Sequence, residues 1–238
     1  MMTEVYAVKL SENVGRETVA RLLPFVDREK QDRILRFYRW EDSLRGLYAD
    51  LLIRHIIINK TNLKNEDISF SKNEYGKPFL NEKSDFHFNL SHSGDWVVCA
   101  VDNKPVGIDV EALSPIDLDI SEHYFSPDEH KDLLSKDDKI AYFFTLWTLK
   151  ESYIKIVGKG LSLPLNSFSI RFKDNKEIRI DARGKVIRDT YFTQYSIDEK
   201  YKMAVCAQRK DFPRMIIPKT IREITVGFLK GESVLLYR

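Results

Sequence analysis

The sequence predicts an α+β fold of two pseudo-symmetric, α/β-type halves, each a mostly antiparallel sheet with a long helix. Three observations predict it. The hydrophobic period switches twice from helical to strand spacing along the chain. Both halves run helices first and strands second. Val98-Cys99-Ala100 and Val205-Cys206-Ala207 each close a strand that follows an alternating segment and a polar turn. No low-complexity linker separates the halves, which divide as residues 1–105 and 106–238 and are expected to pack as one body.

In chain order, residues 5–10 read as a strand, and residues 27–40 and 43–58 as helices from their apolar spacing. Leu44, Leu47, Leu51 and His55 mark one face of the second helix. Segments 68–70, 86–90, 96–101 and 106–111 alternate with period two and read as an antiparallel meander. Between them, Tyr75-Gly76-Lys77-Pro78, Ser93-Gly94-Asp95 and Asp102-Asn103-Lys104-Pro105 supply turn chemistry. Ser126-Pro127-Asp128-Glu129 sets serine at the cap, proline first in the helix and glutamate third, which predicts a helix start. Asp137 or Asp138 caps a longer helix that runs to Val157 and stops at Gly158-Lys159-Gly160. Segments 168–172, 177–180, 190–197 and 202–207 read as a second group of strands. In the tail, the apolar runs 224–229 and 234–237 read as added strands with no chemistry assigned.

With 43% hydrophobic and 31% charged residues, the chain can bury a core and still solvate its surface, which excludes intrinsic disorder. Lys plus Arg (38) against Asp plus Glu (36) leaves a net charge of +2. That balance excludes a whole-surface polyanion binder, so nucleic acid is not expected as a partner and any anion site must be local. Cys99 and Cys206 sit in apolar runs and read as buried reduced thiols. The amino terminus has no apolar signal region and no run of ~20 apolar residues occurs, so a cytoplasmic protein without membrane contact is expected.

The chemistry begins at Gly107-Ile108-Asp109-Val110-Glu111. Residues two apart on a strand share a face, so Asp109 and Glu111 project together while Ile108 and Val110 point into the core. Such paired acids share a proton, pair with a basic side chain or bind a cation; solvated acids on an exposed strand are the plainer reading. Helix 141–157 is apolar on nearly every side, as a helix between layers is. Yet Thr148, Glu151, Ser152 and Lys155 fall on a single polar stripe. Glu151 either pairs with Lys155 four residues on, or joins Asp109 and Glu111 as three hard oxygen ligands suited to Mg²⁺, with Lys155 neutralising what the metal holds.

Lys30, Arg33, Arg36, Arg45, Lys77 and Ser91-His92-Ser93 together could serve several phosphates, with His92 able to carry charge near neutral pH. Each alone also reads as a solvated charge, a turn residue or a structural histidine. Ser91 and His92 point to opposite faces of a strand, so they are poorly placed as a nucleophile–base pair. No nucleophile elbow, P-loop, dinucleotide fingerprint or zinc pattern is present.

Gly107-Ile108-Asp109-Val110-Glu111, followed about forty positions later by Trp147-Thr148-Leu149-Lys150-Glu151-Ser152-Tyr153-Ile154-Lys155, resembles the paired signature of 4′-phosphopantetheinyl transferases. Gly76-Lys77-Pro78, Phe88-Asn89-Leu90-Ser91-His92-Ser93 and Gly158-Lys159-Gly160-Leu161-Ser162-Leu163-Pro164-Leu165 resemble the surfactin-type branch, so the resemblance covers about residues 27–213. It implies a Mg²⁺-dependent transfer of phosphopantetheine from coenzyme A to a serine of an apo carrier protein, releasing adenosine 3′,5′-bisphosphate. The site would lie in a cleft between two related subdomains, the first contacting the nucleotide and the second bearing metal and catalytic residues.

By the same resemblance Asp109, Glu111 and Glu151 are the metal ligands, and Glu151 takes the serine proton. Lys155 stabilises pyrophosphate charge and assists the departing group. Lys30, Arg33, Arg45, Lys77, Ser91 and His92 bind the nucleotide side, with arginine standing at position 33 where the pattern expects lysine. The implied partners are carrier domains of peptide synthetases, favoured by the surfactin-type features, or of polyketide or fatty-acid synthases, served by a monomer. Lys210, Arg214, Lys219 and Arg222 read as solvated charge, the alternative being attraction for an acidic carrier helix. The competing function is a non-catalytic coenzyme A or carrier-binding module whose acids form a structural ion-pair network.

Overall fold

The computed structural model describes residues 2–10, 14–173 and 177–229. Its first half contains β1 (Glu4–Lys9), α1 (Arg16–Leu22), α2 (Arg28–Leu35), α3 (Trp40–Lys60), β2 (Phe70–Lys72), β3 (Pro78–Leu80), β4 (His87–Ser93) and β5 (Trp96–Asp102). There follow β6 (Val106–Ala112), α4 (Ile120–Tyr124), α5 (Pro127–Leu134), α6 (Lys139–Val157), β7 (Phe168–Phe172), β8 (Ile178–Ala182), β9 (Lys185–Val186), β10 (Tyr191–Gln194), β11 (Tyr201–Ala207), β12 (Ile217–Lys219) and α7 (Ile221–Phe228). The strands form small sheets in the orders β12-β1-β5-β4, β10-β11-β6, β2-β3 and β7-β8-β9, antiparallel except for the β1–β12 pair. The α+β class is as the sequence predicts.

The two principal sheets share a core. Val5, Ala7, Val98 and Ala100 of one meet Ile108, Val110, Met203 and Val205 of the other in a single buried cluster. The alternate residues Val97, Cys99 and Val101 turn the opposite way, into the cluster under α3. On the second sheet α6 packs on β6 and β11. Both cysteines are buried and free.

The predicted meander breaks at β6. That strand does not ladder with β5 but pairs antiparallel with β11, in a register that sets Asp109 opposite Ala204 and Glu111 opposite Lys202. Its other edge is sewn to β4 by side chains. The backbone N–H of Ile108 donates to Asn89 Oδ1 (2.9 Å), that of Val110 to Ser91 Oγ (3.4 Å) and that of Ala112 to Ser93 Oγ (3.1 Å). Polar residues at every second position of β4 thus satisfy donors that an open sheet edge would leave unpaired.

The first predicted helix ends early, at Leu35, because the Ser43 hydroxyl donates to Ile34 O (3.1 Å) and closes a corner before α3 begins at Trp40. Helix α1 carries too few apolar residues to have been read from spacing. The caps fall where expected: Ser126 and Glu129 form a reciprocal capping box, Asp138 accepts from Ala141 N (2.9 Å), and Gly158 ends α6 at φ 75°. Glu129 also reaches inward. It accepts from Ile170 N (2.7 Å) and pairs with Lys150 (2.8 Å), whose ammonium donates to Leu165 O and Phe168 O as well. This fully hydrogen-bonded buried pair fixes α6 against α5 and β7.

Two strand expectations shift. Arg183 (φ 52°) and Gly184 (φ 75°) turn the chain into the short β9, moving β8 to 178–182, and β10 stops at Gln194. In the tail, segment 224–229 belongs to α7 and its C-cap rather than to a strand. Thr220 and Glu223 cap that helix reciprocally, and Ile221, Ile224 and Thr225 bury its inner face. The 234–237 run lies outside the described residues.

Candidate active site

Because Ile108 and Val110 enter the shared core, Asp109 and Glu111 face the other way, toward α6. Lys155 of α6 meets them: its ammonium lies 2.6 Å from Asp109 Oδ1 and 3.0 Å from Ser91 Oγ, and Ser91 donates to the same Oδ1 at 2.8 Å. Asp109 Oδ2 is buried with no hydrogen-bond partner. Ser93 donates to Glu111 Oε2 (2.8 Å). Burial first, and Asp109 second, push the Glu111 carboxyl up to about 7; the same two causes raise Glu151, with Lys155 opposing. The polar stripe of α6 therefore divides. Thr148 and Ser152 are fully buried and donate to their own helix backbone, leaving Glu151 and Lys155 for the cleft. Lys155 reaches Asp109 rather than serving as a simple intrahelical partner of Glu151.

Among the described residues no three His, Cys, Asp or Glu side chains stand close enough together to hold a metal. The donor set nonetheless fits a hard cation. It offers three carboxylates, two of them pushed up by burial and by a neighbouring acid, and one buried oxygen lacking a partner. Lys155 supplies the positive charge at Asp109 in this arrangement.

Of two neighbouring cavities, the larger is lined by members of this cluster and the smaller by none of them. The smaller, of about 180 Å³, is lined by Lys30, Arg33 and Lys72 together with the acids Asp27, Glu29 and Asp50, and the larger, of about 420 Å³, by Tyr124, Trp147, Glu151, Lys155 and Leu161. Gly76 and Pro78 line both, so the β2–β3 turn stands between them. Arg45 lines neither cavity; it donates to Gly94 O (2.7 Å) and to Asp42 Oδ1 (2.6 Å). Burial lowers Lys30, whose charge stands within range of His92 together with those of Arg45 and Lys155.

Two expected roles change. Desolvation by surrounding groups, then Arg45 and Lys155, lower the His92 imidazole to about 4, which favours the neutral ring even though the residue is exposed at the surface. Lys77 lines the larger cavity, but its ammonium donates to Ile156 O (3.3 Å) and Val106 O (3.5 Å), clasping the end of α6, and burial lowers it to about 8. Sequence reasoning names Ser93 only as an anion donor beside Ser91 and His92 and gives Asn89 no role, whereas both hold β6 in place. Their spacing with Ser91 at alternate positions of one strand was the available signal.

The expected titration of His92 follows from its lowered value. Its ring stays neutral at pH 7 and takes a proton only near pH 4, read from its ring-carbon resonance. A depressed histidine contributes stability that is present above its ordinary value of ~6.5 and is lost as pH falls through the folded value. Titration at the ordinary value would contradict the crowding described.

Comparison with known proteins bears on this geometry. Residues 105–206 match the 4′-phosphopantetheinyl transferase superfamily, and residues 14–104 match the family described as 4′-phosphopantetheinyl transferase, N-terminal. The chain is 42% identical over 223 residues to 4′-phosphopantetheinyl transferase Sfp of Bacillus subtilis (strain 168), covering 93% of this chain and 99% of that protein. It is 41% identical to 4′-phosphopantetheinyl transferase gsp of Aneurinibacillus migulanus, covering 96% of each. It is 29% identical to the human L-aminoadipate-semialdehyde dehydrogenase-phosphopantetheinyl transferase, covering 78% of this chain and 68% of that protein.

Proposed function

The chain belongs to the 4′-phosphopantetheinyl transferase superfamily and transfers 4′-phosphopantetheine from coenzyme A to carrier proteins; from that premise we propose how its own residues carry the reaction. The non-catalytic module is set aside, because proteins similar along nearly the whole chain are transferases. The observation that supports the assignment most strongly is the contact of Lys155 with Asp109 and Ser91, one helical turn from Glu151 and beside a cavity large enough for part of a ligand.

Lys30, Arg33 and Arg45, with the neutral His92 as a hydrogen-bonding group and Ser91 beside them, receive the nucleotide phosphates from the smaller cavity. Lys77, in the turn between the cavities, lines the larger one instead. The apolar walls of the larger cavity, Trp147, Tyr124 and Leu161, receive the arm. Asp109, Glu111 and Glu151 would hold Mg²⁺, which would supply positive charge to neutralise the pyrophosphate.

The serine Oγ of the carrier forms a new bond to the phosphorus that bears the arm, and that phosphorus loses its bridging oxygen to the departing adenosine 3′,5′-bisphosphate. The serine proton passes to a Glu151 carboxylate oxygen. Lys155 compensates charge on the departing phosphate. Positioning and charge neutralisation suffice for this class of transfer.

In this reading residues 1–105 bind the nucleotide and residues 106–238 bear the acids and the base. A single chain holds both sets, in keeping with a cytoplasmic monomer acting on peptidyl carriers of peptide synthetases and, more broadly, on polyketide and fatty-acid carriers. Among the described residues no helix is long and apolar enough to cross a membrane. The test is incubation of the purified protein with coenzyme A, Mg²⁺ and an apo peptidyl carrier. The expected result is a mass gain of one phosphopantetheine on the carrier, abolished by a chelator and restored by Mg²⁺. Saturable coenzyme A binding without that gain, or loading indifferent to chelation, would contradict it.

A further inference from the structure

A third cavity, of about 720 Å³, lies where the second half of α3 meets β1, β12 and α7, and shares no lining residue with the two cavities of the active site. Its volume falls within the range of small-molecule sites. Ile56 and Val226 give it apolar walls, and Lys60, Lys219 and Arg222 bring positive charge to it. Two of those charges are partly balanced. Lys60 bonds Glu4 (2.5 Å), and Lys219 lies 3.8 Å from Glu223.

The position of His55 sets this hollow apart from a chance gap. That residue continues the buried stripe Leu44, Leu47 and Leu51 of α3, yet its imidazole opens into the cavity. Opposite stands Gly227, inside α7, where glycine costs ~1 kcal/mol relative to alanine. A Cβ there would come within 3.2 Å of His55 Nδ1, so the missing side chain leaves the ring free of crowding from α7. Burial, and then Lys219, lower the His55 pKa, which leaves the ring a neutral hydrogen-bonding group on an apolar floor.

We propose that this cavity binds a small amphipathic organic anion. The acid group meets Lys219 and Arg222, and an apolar or aromatic body lies on Ile56 and Val226 against His55.

The probe is 8-anilinonaphthalene-1-sulfonate, titrated by fluorescence against the full chain, with N-phenyl-1-naphthylamine as its uncharged counterpart. The expected result is one saturable site that persists at saturating coenzyme A and binds the uncharged probe at least tenfold more weakly. The double variant Lys219→Glu, Arg222→Glu should lose at least tenfold in affinity, and Val226→Trp, which fills the cavity, should lose as much. Both variants are expected to stay folded and to keep the parent's carrier-loading rate. Displacement of the probe by coenzyme A, unchanged affinity in both variants, or absence of saturable binding to the folded parent would overturn the proposal. A failure of carrier loading in the parent would instead bear on the transferase mechanism, so the two outcomes are distinguishable.

Discussion

Glu151→Gln is expected to load carrier protein at least ~10²-fold more slowly than the parent, a loss of roughly 2.7 kcal/mol of barrier stabilisation at ~1.4 kcal/mol per decade. The substitution keeps the side chain's size and removes a carboxyl that burial and Asp109 already disfavour as an anion, so the fold should not suffer. Initial rates by mass spectrometry, with melting temperatures alongside, separate the two effects. A normal rate in the folded variant would remove Glu151 as the base.

Gly107→Ala acts on the same site from behind. A Cβ at that position would lie 2.0 Å from Ser152 O and 2.7 Å from Ile156 N, both backbone atoms of α6. No rotamer change relieves such a contact, so the helix must move off β6, carrying Glu151 and Lys155 with it. Overpacking of this kind costs about 1–3 kcal/mol. Displacing a catalytic group by an ångström can cost ~10²-fold in rate. The expected variant is therefore both less stable and slower by about that factor, read from its melting temperature and from carrier loading at saturating coenzyme A. An unchanged melting temperature with full activity would contradict the packing of β6 on α6.

The legible part of the fold was local. Alternation identified β6 and β11, and Ser126, Glu129, Asp138 and Gly158 announced the ends of α5 and α6 because capping chemistry involves residues close in sequence. The partner of β6 was not legible. The turn at residues 102–105 reads as a hairpin connection to β5, whereas the ladder to β11 joins residues such as Asp109 and Ala204, far apart in the chain. The tail shows a missed local signal, for Thr220 and Glu223 spell a capping box ahead of the run that was read as a strand.

The candidate site divides in the same way. Asp109, Glu111, Glu151 and Lys155 stood out because acids at alternate strand positions and a polar stripe on an apolar helix each need a partner. The role of Ser93 and Asn89 in holding β6 did not, since a polar residue at every second strand position looks like a solvated face, or in Ser93 like a donor to an anion, until β6 is laid beside it. The clasp of Lys77 on Ile156 O and the neutral state of His92 depend on what surrounds them in three dimensions, which spacing does not report.

We propose that three carboxylates on β6 and α6 share one divalent ion. The most direct measurement is an equilibrium titration of Mn²⁺, followed by electron paramagnetic resonance, into the protein with coenzyme A present. One ion per chain is predicted, with affinity reduced at least tenfold in each of Asp109→Asn, Glu111→Gln and Glu151→Gln while all three remain folded. Parent-like affinity in the Asp109 and Glu151 variants would mean that the ion, if bound, is held elsewhere, and would contradict the account.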